Sequence, residues 1–489
     1  MSFAPTRTYS PPAFVGAPKD AAFLAAGSLG VVLFWAFFLL EAVPAWHTVL
    51  MMAALSQVSC FVVAYVSVRA EGPFSPLVWF SAMYFLLPAM AAYLFLGHFG
   101  DVYHHNVAFR SDRIDLMERA LLVALAGYIS YCVGHFLAPR PFKRQQQILF
   151  DLAVKDGLVL GVAYAFYAIG ILNFGLNAWL YDSANLASLL LDYGARDHRL
   201  DNLPAYFTTI GYNLLVVGLI LHMFIRIRTY QKVGLSLAFF GVLTGIILLS
   251  TGRVWYTFSV GLALFACWNI CLPSRKIGRT ILGVGLVALL VVAAFILRIV
   301  SNLLYVESDS AELSWLSLVT EVAGSLGYLI FGRSNVPSLP ILMEVVDYYG
   351  VVVPYLYGES LSYWMTYLLP GEDVRFLGHE IKETFYAGRP GGFPPTVFGE
   401  FYANGGMSFV VCGCALLGFL VSASFRMLQR TRSFIGVFVY SAFLFRFVFM
   451  LPKLELASFG SAVWLVLPAL LTWFVLFLLA RSSAPSVRQ

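Results

Sequence analysis

The chain alternates between long apolar runs and mostly short polar connections, and this pattern predicts a bundle of membrane-spanning helices. An uncharged run of about 20 residues spans a bilayer as a helix, because a helix satisfies its own backbone hydrogen bonds. Twelve such runs cover residues 21–40, 46–68, 74–97, 120–138, 157–180, 204–225, 233–250, 254–272, 280–300, 407–425, 434–451 and 459–480. We therefore expect an all-α polytopic membrane protein of about twelve transmembrane helices.

Three predicted connections are longer than the rest, at residues 98–119, 181–202 and 301–406. The last is too aromatic and apolar for a disordered linker, and loops of this size are usually functional. Within it, residues 313–331 and 341–357 could form amphipathic helices lying against the membrane surface. We expect one integrated membrane domain: helices one to nine in residues 1–300, a large loop carrying the site in residues 301–406, and helices ten to twelve in residues 407–489.

Composition supports a membrane protein and excludes several other classes. The chain is 60% apolar and 12% charged, with a mean hydropathy of +0.80, whereas a soluble domain has about 25% charged residues. A soluble enzyme, a disordered scaffold and a disulfide-stapled secreted domain are therefore excluded. All six cysteines fall within predicted spans, where no disulfide framework is expected. The helix-spaced pair Cys267 and Cys271 has no histidine or carboxylate neighbour, which favours packing over metal binding.

The formal charge of +5 divides very unequally between the two sides of the predicted bundle. Basic residues cluster in the connections that follow even-numbered spans, and the positive-inside rule places these in the cytoplasm. The division is then +14 inside, −10 outside and one arginine, Arg446, within a span. Both termini are expected in the cytoplasm, and residues 301–406 on the outer face.

The densest candidate motif lies at the end of the large loop, from Gly388 to Gly406. Gly391 and Gly392 would let the backbone approach a ligand closely, and two prolines that follow them stiffen the turn. Glu400, Tyr402 and Asn404 follow at spacings that would fan them round the start of a helix entering span ten. With Arg389, this stretch would place a cation, a carboxylate and hydrogen-bonding groups at the outer membrane surface. The structural alternative is a glycine- and proline-rich turn with a solvated glutamate.

Basic residues elsewhere could join Arg389 in an anion site on the outer face. Arginine can bind a phosphate through two hydrogen bonds, and a charge in mid-span is costly unless it pairs or faces a wet cavity. Each could also be an ordinary anchor to lipid headgroups. The candidates are Arg253 in the short connection after span seven, Arg446 in span eleven, Arg298 and Lys453 near outer span ends, and Arg333 in the large loop.

Histidines offer further candidates for proton transfer or metal binding. His379 is the only histidine in the large loop and a possible proton acceptor, although such a residue is more often a plain surface group. His98, Asp101, His104 and His105 have the residue types of metal ligands, but their spacing matches no metal template. The sequence contains no phosphate-binding loop, dinucleotide fingerprint or zinc-protease helix. We therefore expect no metal site, no cofactor and no nucleic acid partner.

The motif residues resemble the hallmark of Wzy-type oligosaccharide repeat-unit polymerases. The matching pattern is Arg389-x-Gly391-Gly392-x-Pro-Pro-x4-Glu400-x-Tyr402-x-Asn404. A Thr-Gly-Arg turn ending at Arg253 and a large outer loop late in the chain also fit this family. The motif-level match covers about thirty residues, whereas the architectural match covers the whole chain.

The resemblance implies a metal-independent, inverting glycosyltransferase of the GT-C type in the bacterial inner membrane, with its active site facing the periplasm. Its substrates would be undecaprenyl-pyrophosphate-linked oligosaccharides, and a chain-length regulator and a flippase would be its pathway partners. The growing chain would pass en bloc to a new lipid-linked repeat unit. Arg253 and Arg389 would bind the pyrophosphate, supported by Arg298, Arg333 and Arg446. Glu400 would be the general base, with His379 second, and Tyr402 and Asn404 would orient sugar or base.

Three other functions remain open at this point. An O-antigen ligase uses the same donor and a similar architecture, but hands the chain to a lipid A core. A polysaccharide or lipid transporter predicts charges in a central cavity, two related halves and short loops, and the large one-sided loop argues against it. A non-catalytic scaffold predicts that alanine at Arg389 and Glu400 leaves the polymer unchanged.

Overall fold

The computed structural model describes residues 18–96, 113–139, 154–180, 205–229, 234–250, 254–271, 338–366, 376–386, 393–431 and 433–482. Over these ranges the protein is all-helical, with one isolated bridge between Tyr349 and Val353. The first nine helices are α1 (Pro18–Glu41), α2 (Pro44–Glu71), α3 (Pro76–Tyr84), α4 (Leu86–Phe95), α5 (Ile114–Leu137), α6 (Asp156–Leu180), α7 (Ala205–Thr229), α8 (Leu235–Ser250) and α9 (Val254–Cys271).

The remaining described helices precede, contain or follow the motif along the chain. They are α10 (Leu339–Tyr348), α11 (Tyr363–Thr366), α12 (Leu377–Phe385), α13 (Thr396–Thr431), α14 (Phe434–Phe443) and α15 (Ser458–Ser482). A 3-10 turn at Ser360–Ser362 leads into α11, and a π-helical turn at Leu444–Val448 continues α14.

Eight helices in the described part of the chain are long and apolar enough to cross a membrane. Three shorter apolar helices, at Leu235–Leu248, Tyr256–Cys271 and Phe434–Val448, coincide with the predicted spans seven, eight and eleven. The predicted ninth span, residues 280–300, and the predicted amphipathic segment 313–331 lie outside the described residues. The polytopic helical architecture is therefore confirmed, and the number of spans stays a prediction.

The third predicted span is interrupted rather than continuous. It consists of α3 and α4, which meet at Phe85. Pro88 lies in the first turn of α4, and a proline ring clashes with the carbonyl of the residue four positions earlier, here Tyr84. The break falls beside a stack of aromatic rings, in which the centroids of Tyr84 and Tyr128 lie 4.3 Å apart.

Helices α5 and α13 pack closely because glycines remove side chains from their contact. A Cβ atom added to Gly134 would overlap the carbonyl oxygen of Ala415, and one added to Gly418 would overlap that of Tyr131. Small residues at such contacts let helix backbones approach within a membrane, where burial of apolar surface gives little driving force. This close pair forms the frame on which the motif at the start of α13 is carried.

The described ion pairs sort to the two ends of the bundle as the charge pattern predicts. Arg426 near the end of α13 binds Glu71 at the end of α2 at 2.9 Å, and Arg228 pairs with Asp156 at 3.4 Å. All four lie in connections that follow even-numbered predicted spans, which the positive-inside rule places in the cytoplasm, and the opposite end carries α10 and the motif. We call these the inner end and the motif end.

Helix α10 differs from the expectation of a helix lying on the membrane surface. Residues Leu339 to Val346 are all buried, and α10 packs against α5 and α13. Arg113, just before α5, forms ion pairs with Glu344 and Asp347 on α10. An amphipathic pattern indicates one apolar face but does not identify what covers it, and here the covering surface is the helix bundle.

Candidate functional site

The motif folds into the first turns of α13 and begins with an unusual backbone. Thr396, directly after the two prolines, has φ of +66°, a conformation that is strained for a β-branched residue. Its hydroxyl accepts a hydrogen bond from the backbone N–H of Gly399 at 3.3 Å, and the N–H of Val397 donates to the carbonyl of Leu451 at 3.0 Å. Strained backbone of this kind clusters at functional sites, where the surrounding structure must hold it.

Glu400 is buried in the second turn of α13, and both of its carboxylate oxygens are engaged. Oε1 accepts a hydrogen bond from the hydroxyl of Ser360 at 3.3 Å, and Oε2 accepts one from the backbone N–H of Leu456. The side chain is 0% exposed. Glu400 therefore joins α13 to two other segments, the turn before α11 and the connection between α14 and α15.

Asn404 extends this hydrogen-bonded group one turn further along α13. Its side-chain amide donates to the hydroxyl of Ser360 and to the carbonyl of Glu400, both at 2.7 Å. Its oxygen accepts from the N–H of Gly358 at 2.9 Å. Since Asn404 is also fully buried, these bonds fix the turn at residues 358–360 against the helix. The predicted placement of Glu400 and Asn404 at the start of a helix is found in the structure.

Tyr402 lies beside a break in α13 at Gly405 and Gly406. Gly406 has φ of +65°, and a Cβ added there would lie 2.8 Å from the hydroxyl of Tyr355. The rings of Tyr355 and Tyr402 meet edge to face at 6.2 Å, and the charge of Arg119 acts on the hydroxyl of Tyr402. The break thus accommodates an aromatic pair beside the motif, half-buried and close to an exposed arginine.

Glu455 is a buried carboxylate that the sequence did not single out. One oxygen accepts a hydrogen bond from the N–H of Gly378 at 3.2 Å, at the start of α12. Burial is the main cause that raises the pKa of Glu455 to about 7, and the carboxylates of Glu455 and Glu400 also repel each other. The signal was present in the sequence, because a basic and an acidic residue, Lys453 and Glu455, occupy an otherwise apolar connection between two spans.

Lys453 is buried in the same connection instead of lying at the membrane surface. Burial lowers the pKa of its ammonium group to about 7, because the charged form loses its hydration. Lys453 is only 6% exposed, so its ammonium group is poorly accessible to a pyrophosphate. The structure therefore associates Lys453 with the packing of the connection between α14 and α15.

His379 and Glu380 are neighbours on α12 with different surroundings. His379 is exposed and meets the ring of Phe376 edge-on at 5.2 Å. Glu380 is half-buried, and its Oε1 accepts a hydrogen bond from the hydroxyl of Tyr363 at 2.9 Å. His379 is a candidate by residue type alone, whereas the contact of Glu380 with Tyr363 is visible only in the fold.

Arg446 lies in the π-helical turn after α14, inside the bundle and near its motif end. Its guanidinium carbon lies 4.6 Å from the ring centroid of Tyr256 on α9. The hydroxyl of Tyr256 donates to Asn213 at 2.5 Å, and Asn213 donates to the carbonyl of Trp464 at 3.0 Å. The cation thus rests on an aromatic face that is itself anchored to two further helices, an arrangement worth about 0.5–2 kcal/mol.

The other predicted site residues lie outside the described ranges. They are Arg253, Arg298, Arg333, Arg389, Gly391 and Gly392, together with the histidine-rich cluster His98, Asp101, His104 and His105. The described residues on either side of 387–392 are in contact, because the rings of Tyr386 and Phe393 stack with centroids 4.3 Å apart. Within the described ranges, no group of three or more metal-binding side chains is present.

The fold therefore brings carboxylates, a guanidinium and hydrogen-bonding side chains together at one end of the helix bundle. Glu400 and Asn404 fix the motif, Glu455 fixes α12, and Arg446 supplies a positive charge. Comparison of the chain with models of protein families, with curated proteins and with solved structures gives no match.

Proposed function

We propose that this protein is a membrane glycosyltransferase that polymerises undecaprenyl-pyrophosphate-linked oligosaccharide repeat units in the periplasm, yielding O-antigen, capsule or exopolysaccharide. The observation that carries the proposal is the attachment of the motif to the connection that follows Arg446. Glu400 accepts a hydrogen bond from Leu456, and Val397 donates one to Leu451. The segment that carries Arg446 thus continues directly into a connection that is hydrogen-bonded to the motif resembling the polymerase hallmark.

An intramembrane arginine supports a substrate that is both lipid-linked and anionic. Ionisable groups inside membranes are costly and usually functional. In the proposed reaction a sugar hydroxyl of the incoming repeat unit attacks the anomeric carbon of the growing chain. The bond from that carbon to the pyrophosphate oxygen breaks, and the pyrophosphate leaves with the electron pair. Arginines placed around the leaving group would stabilise its developing charge.

Arg253 and Arg389 are the proposed pyrophosphate ligands, and Arg298, Arg333 and Arg446 support them. Arg253 directly precedes α9 in the sequence, and α9 carries Tyr256, the aromatic partner of Arg446. Arg389 belongs to the six residues between the stacked rings of Tyr386 and Phe393. Both ligands therefore adjoin, along the chain, contacts that the described structure shows.

The contacts of Glu400 support a positioning role better than direct proton transfer. Its side chain has no exposure, and both oxygens accept hydrogen bonds from protein groups. A general base must come within hydrogen-bond reach of the proton it removes. Because Glu400 is fully buried, a sugar hydroxyl reaches it only if the segments that cover it move away, so we assign Glu400 to holding the motif in place.

Complementation of a polymerase-null strain tests this proposal. We expect Arg253→Ala, Arg389→Ala and Arg446→Ala to abolish the polymer ladder at normal expression, because each removes a positive charge from the leaving-group site. The matched control is Arg69→Ala, which removes an exposed arginine from the inner end and leaves the ladder intact. Full-length polymer from both Arg253→Ala and Arg389→Ala would overturn the pyrophosphate assignment.

A reconstituted reaction distinguishes the polymerase from a ligase and from a transporter. The purified protein in lipid nanodiscs receives the lipid-linked repeat unit as its single substrate. A polymerase gives a ladder of products from this substrate alone. A ligase gives product only after a lipid A core acceptor is added, and a transporter forms no glycosidic bond under either condition.

A further inference from the structure

We propose that Glu380 is the carboxylate that accepts the proton from the attacking sugar hydroxyl. This inference rests on the proposed glycosyl transfer and names a catalytic residue for it. Glu380 lies on α12 at the motif end of the bundle, half-buried, with Oε1 accepting a hydrogen bond from the hydroxyl of Tyr363 at 2.9 Å. It thus combines a fixed orientation with partial access to solvent, which Glu400 lacks.

Two buried tyrosines lie beside the Glu380 carboxylate, and one of them fixes it. Tyr363, which donates the hydrogen bond, and Tyr349, which interacts with Glu380 electrostatically, are each 4% exposed. Burial, followed by the interactions with Glu380, Tyr348 and Glu359, raises the pKa of Tyr349, so that this hydroxyl keeps its proton. A carboxylate can accept about four hydrogen bonds, so the bond from Tyr363 leaves capacity for a substrate hydroxyl.

The start of α12 is fixed only two residues before Glu380. Glu455 accepts a hydrogen bond from the N–H of Gly378 at 3.2 Å. A Cβ added to Gly378 would lie 3.0 Å from the carbonyl oxygen of Phe393 and 3.1 Å from Oε1 of Glu455, so there is little free space at this point. Phe393 is the first described residue of the motif, which means that the motif and the helix carrying Glu380 are in direct contact.

The motif therefore holds Glu380 through two buried carboxylates. Glu400 accepts from Leu456, and the neighbouring Glu455 accepts from the first turn of α12. In this arrangement Glu400 and Glu455 are positioning residues, and Glu380 is the group that meets the substrate. His379 is adjacent in sequence, but its ring is exposed and lies against Phe376.

The proposed step balances in atoms and charge. The sugar oxygen forms a bond to the anomeric carbon of the growing chain, and the bond from that carbon to the pyrophosphate oxygen breaks. The hydroxyl proton passes to a carboxylate oxygen of Glu380, and solvent later takes it up. General base catalysis of this kind contributes about 100-fold to 10,000-fold to a rate.

The test measures steady-state kinetics of the full-length protein in nanodiscs with the lipid-linked repeat unit. We expect Glu380→Gln to lower kcat by roughly 100-fold or more while KM stays within a few-fold, because the amide keeps the shape but cannot accept a proton. Glu383→Gln, an exposed glutamate on the same helix, is the matched control and should leave kcat unchanged. Equal elution volumes in size-exclusion chromatography and equal melting temperatures of the variants exclude a folding defect.

Chemical rescue separates a catalytic role from a structural one. We expect formate to restore part of the activity of Glu380→Ala and none of that of Glu400→Ala, since a small carboxylate can replace an accessible base but not a sealed hydrogen-bond acceptor. A Glu380→Gln protein with wild-type kcat, or a Glu380→Ala protein without rescue, overturns the inference while wild-type polymerisation still stands. No ladder from the wild type overturns the proposed function, and the assignment of Glu380 falls with it.

Discussion

Replacing Glu455 with glutamine is expected to make the protein more stable at neutral and alkaline pH. Burial raises the pKa of Glu455 from 4.5 to about 7, so the folded protein retains a proton that the unfolded chain releases. The stabilisation from the protonated form is complete below pH 4.5 and is lost as the pH rises through 7. Glutamine does not titrate, and its oxygen can still accept the hydrogen bond from Gly378.

The size of the effect follows from the shift in pKa. One pKa unit corresponds to about 1.4 kcal/mol, so raising the pKa of Glu455 from 4.5 to about 7 makes the wild type lose about 3 kcal/mol between those pH values. Lys453 has its pKa lowered from 10.5 to about 7, so its contribution changes only above pH 7. The two windows do not overlap, and the acidic window reports on Glu455.

Unfolding by SDS titration, followed through the fluorescence of the chain's 10 tryptophans, measures this difference. The free energy of unfolding of Glu455→Gln minus that of the wild type should rise by up to about 3 kcal/mol from pH 4.5 to pH 7. Glu383→Gln changes the same charge on an exposed surface and should give no such rise. Parallel pH profiles for the wild type and Glu455→Gln would show that this carboxylate is not held in its protonated form.

Two glycine substitutions test the packing of α13. Gly134→Ala should destabilise the protein strongly in the same SDS titration, because the added Cβ would overlap the carbonyl oxygen of Ala415. The control is Gly161→Ala on α6, where the added Cβ meets no atom within 4 Å, and it should be neutral or stabilising. Gly406→Ala should lower the free energy of unfolding by about 1–2 kcal/mol, because alanine is strained in the left-handed backbone conformation, and the contact with Tyr355 adds to this loss. A melting temperature equal to that of the wild type would contradict this backbone conformation at Gly406.

Helix positions were predictable because the bilayer permits little else. An apolar run that must satisfy its own backbone hydrogen bonds becomes a helix whatever its neighbours are. The apolar runs that coincide with α1 to α9 were predicted to be helices on that basis. The sorting of charges was equally local. Arg426 and Glu71 were assigned to one side by sequence, and in the structure they form an ion pair.

The buried polar contacts were not predictable, because they depend on which segments meet. Glu400 and Asn404 were identified by their motif, but their shared partner Ser360 lies about forty residues earlier in an unremarkable stretch. Glu455 and Glu380 matter through contacts with Gly378 and Tyr363, and neither contact leaves a periodic signal in the sequence. The pattern at residues 341–357 correctly predicted an apolar face, but we expected the membrane surface to cover it and the helix bundle does. That contact also depends on which segments meet.

Helix α13 is held at both ends by buried ionisable residues, which makes it the fixed frame of the bundle. At the motif end Glu400 accepts from Leu456, and at the inner end Arg426 binds Glu71, which also contacts His135 at 3.2 Å. At the inner end, loss of one partner would leave an uncompensated charge in a poorly hydrated place, at a cost of several kcal/mol. At the motif end it would leave a buried hydrogen-bonding group without its partner. Motion needed for substrate entry is therefore expected in the segments attached to α13 and not in α13 itself. The complete burial of Glu400 in the motif agrees with this expectation, because the role proposed for Glu400 is to position the reacting groups of neighbouring segments.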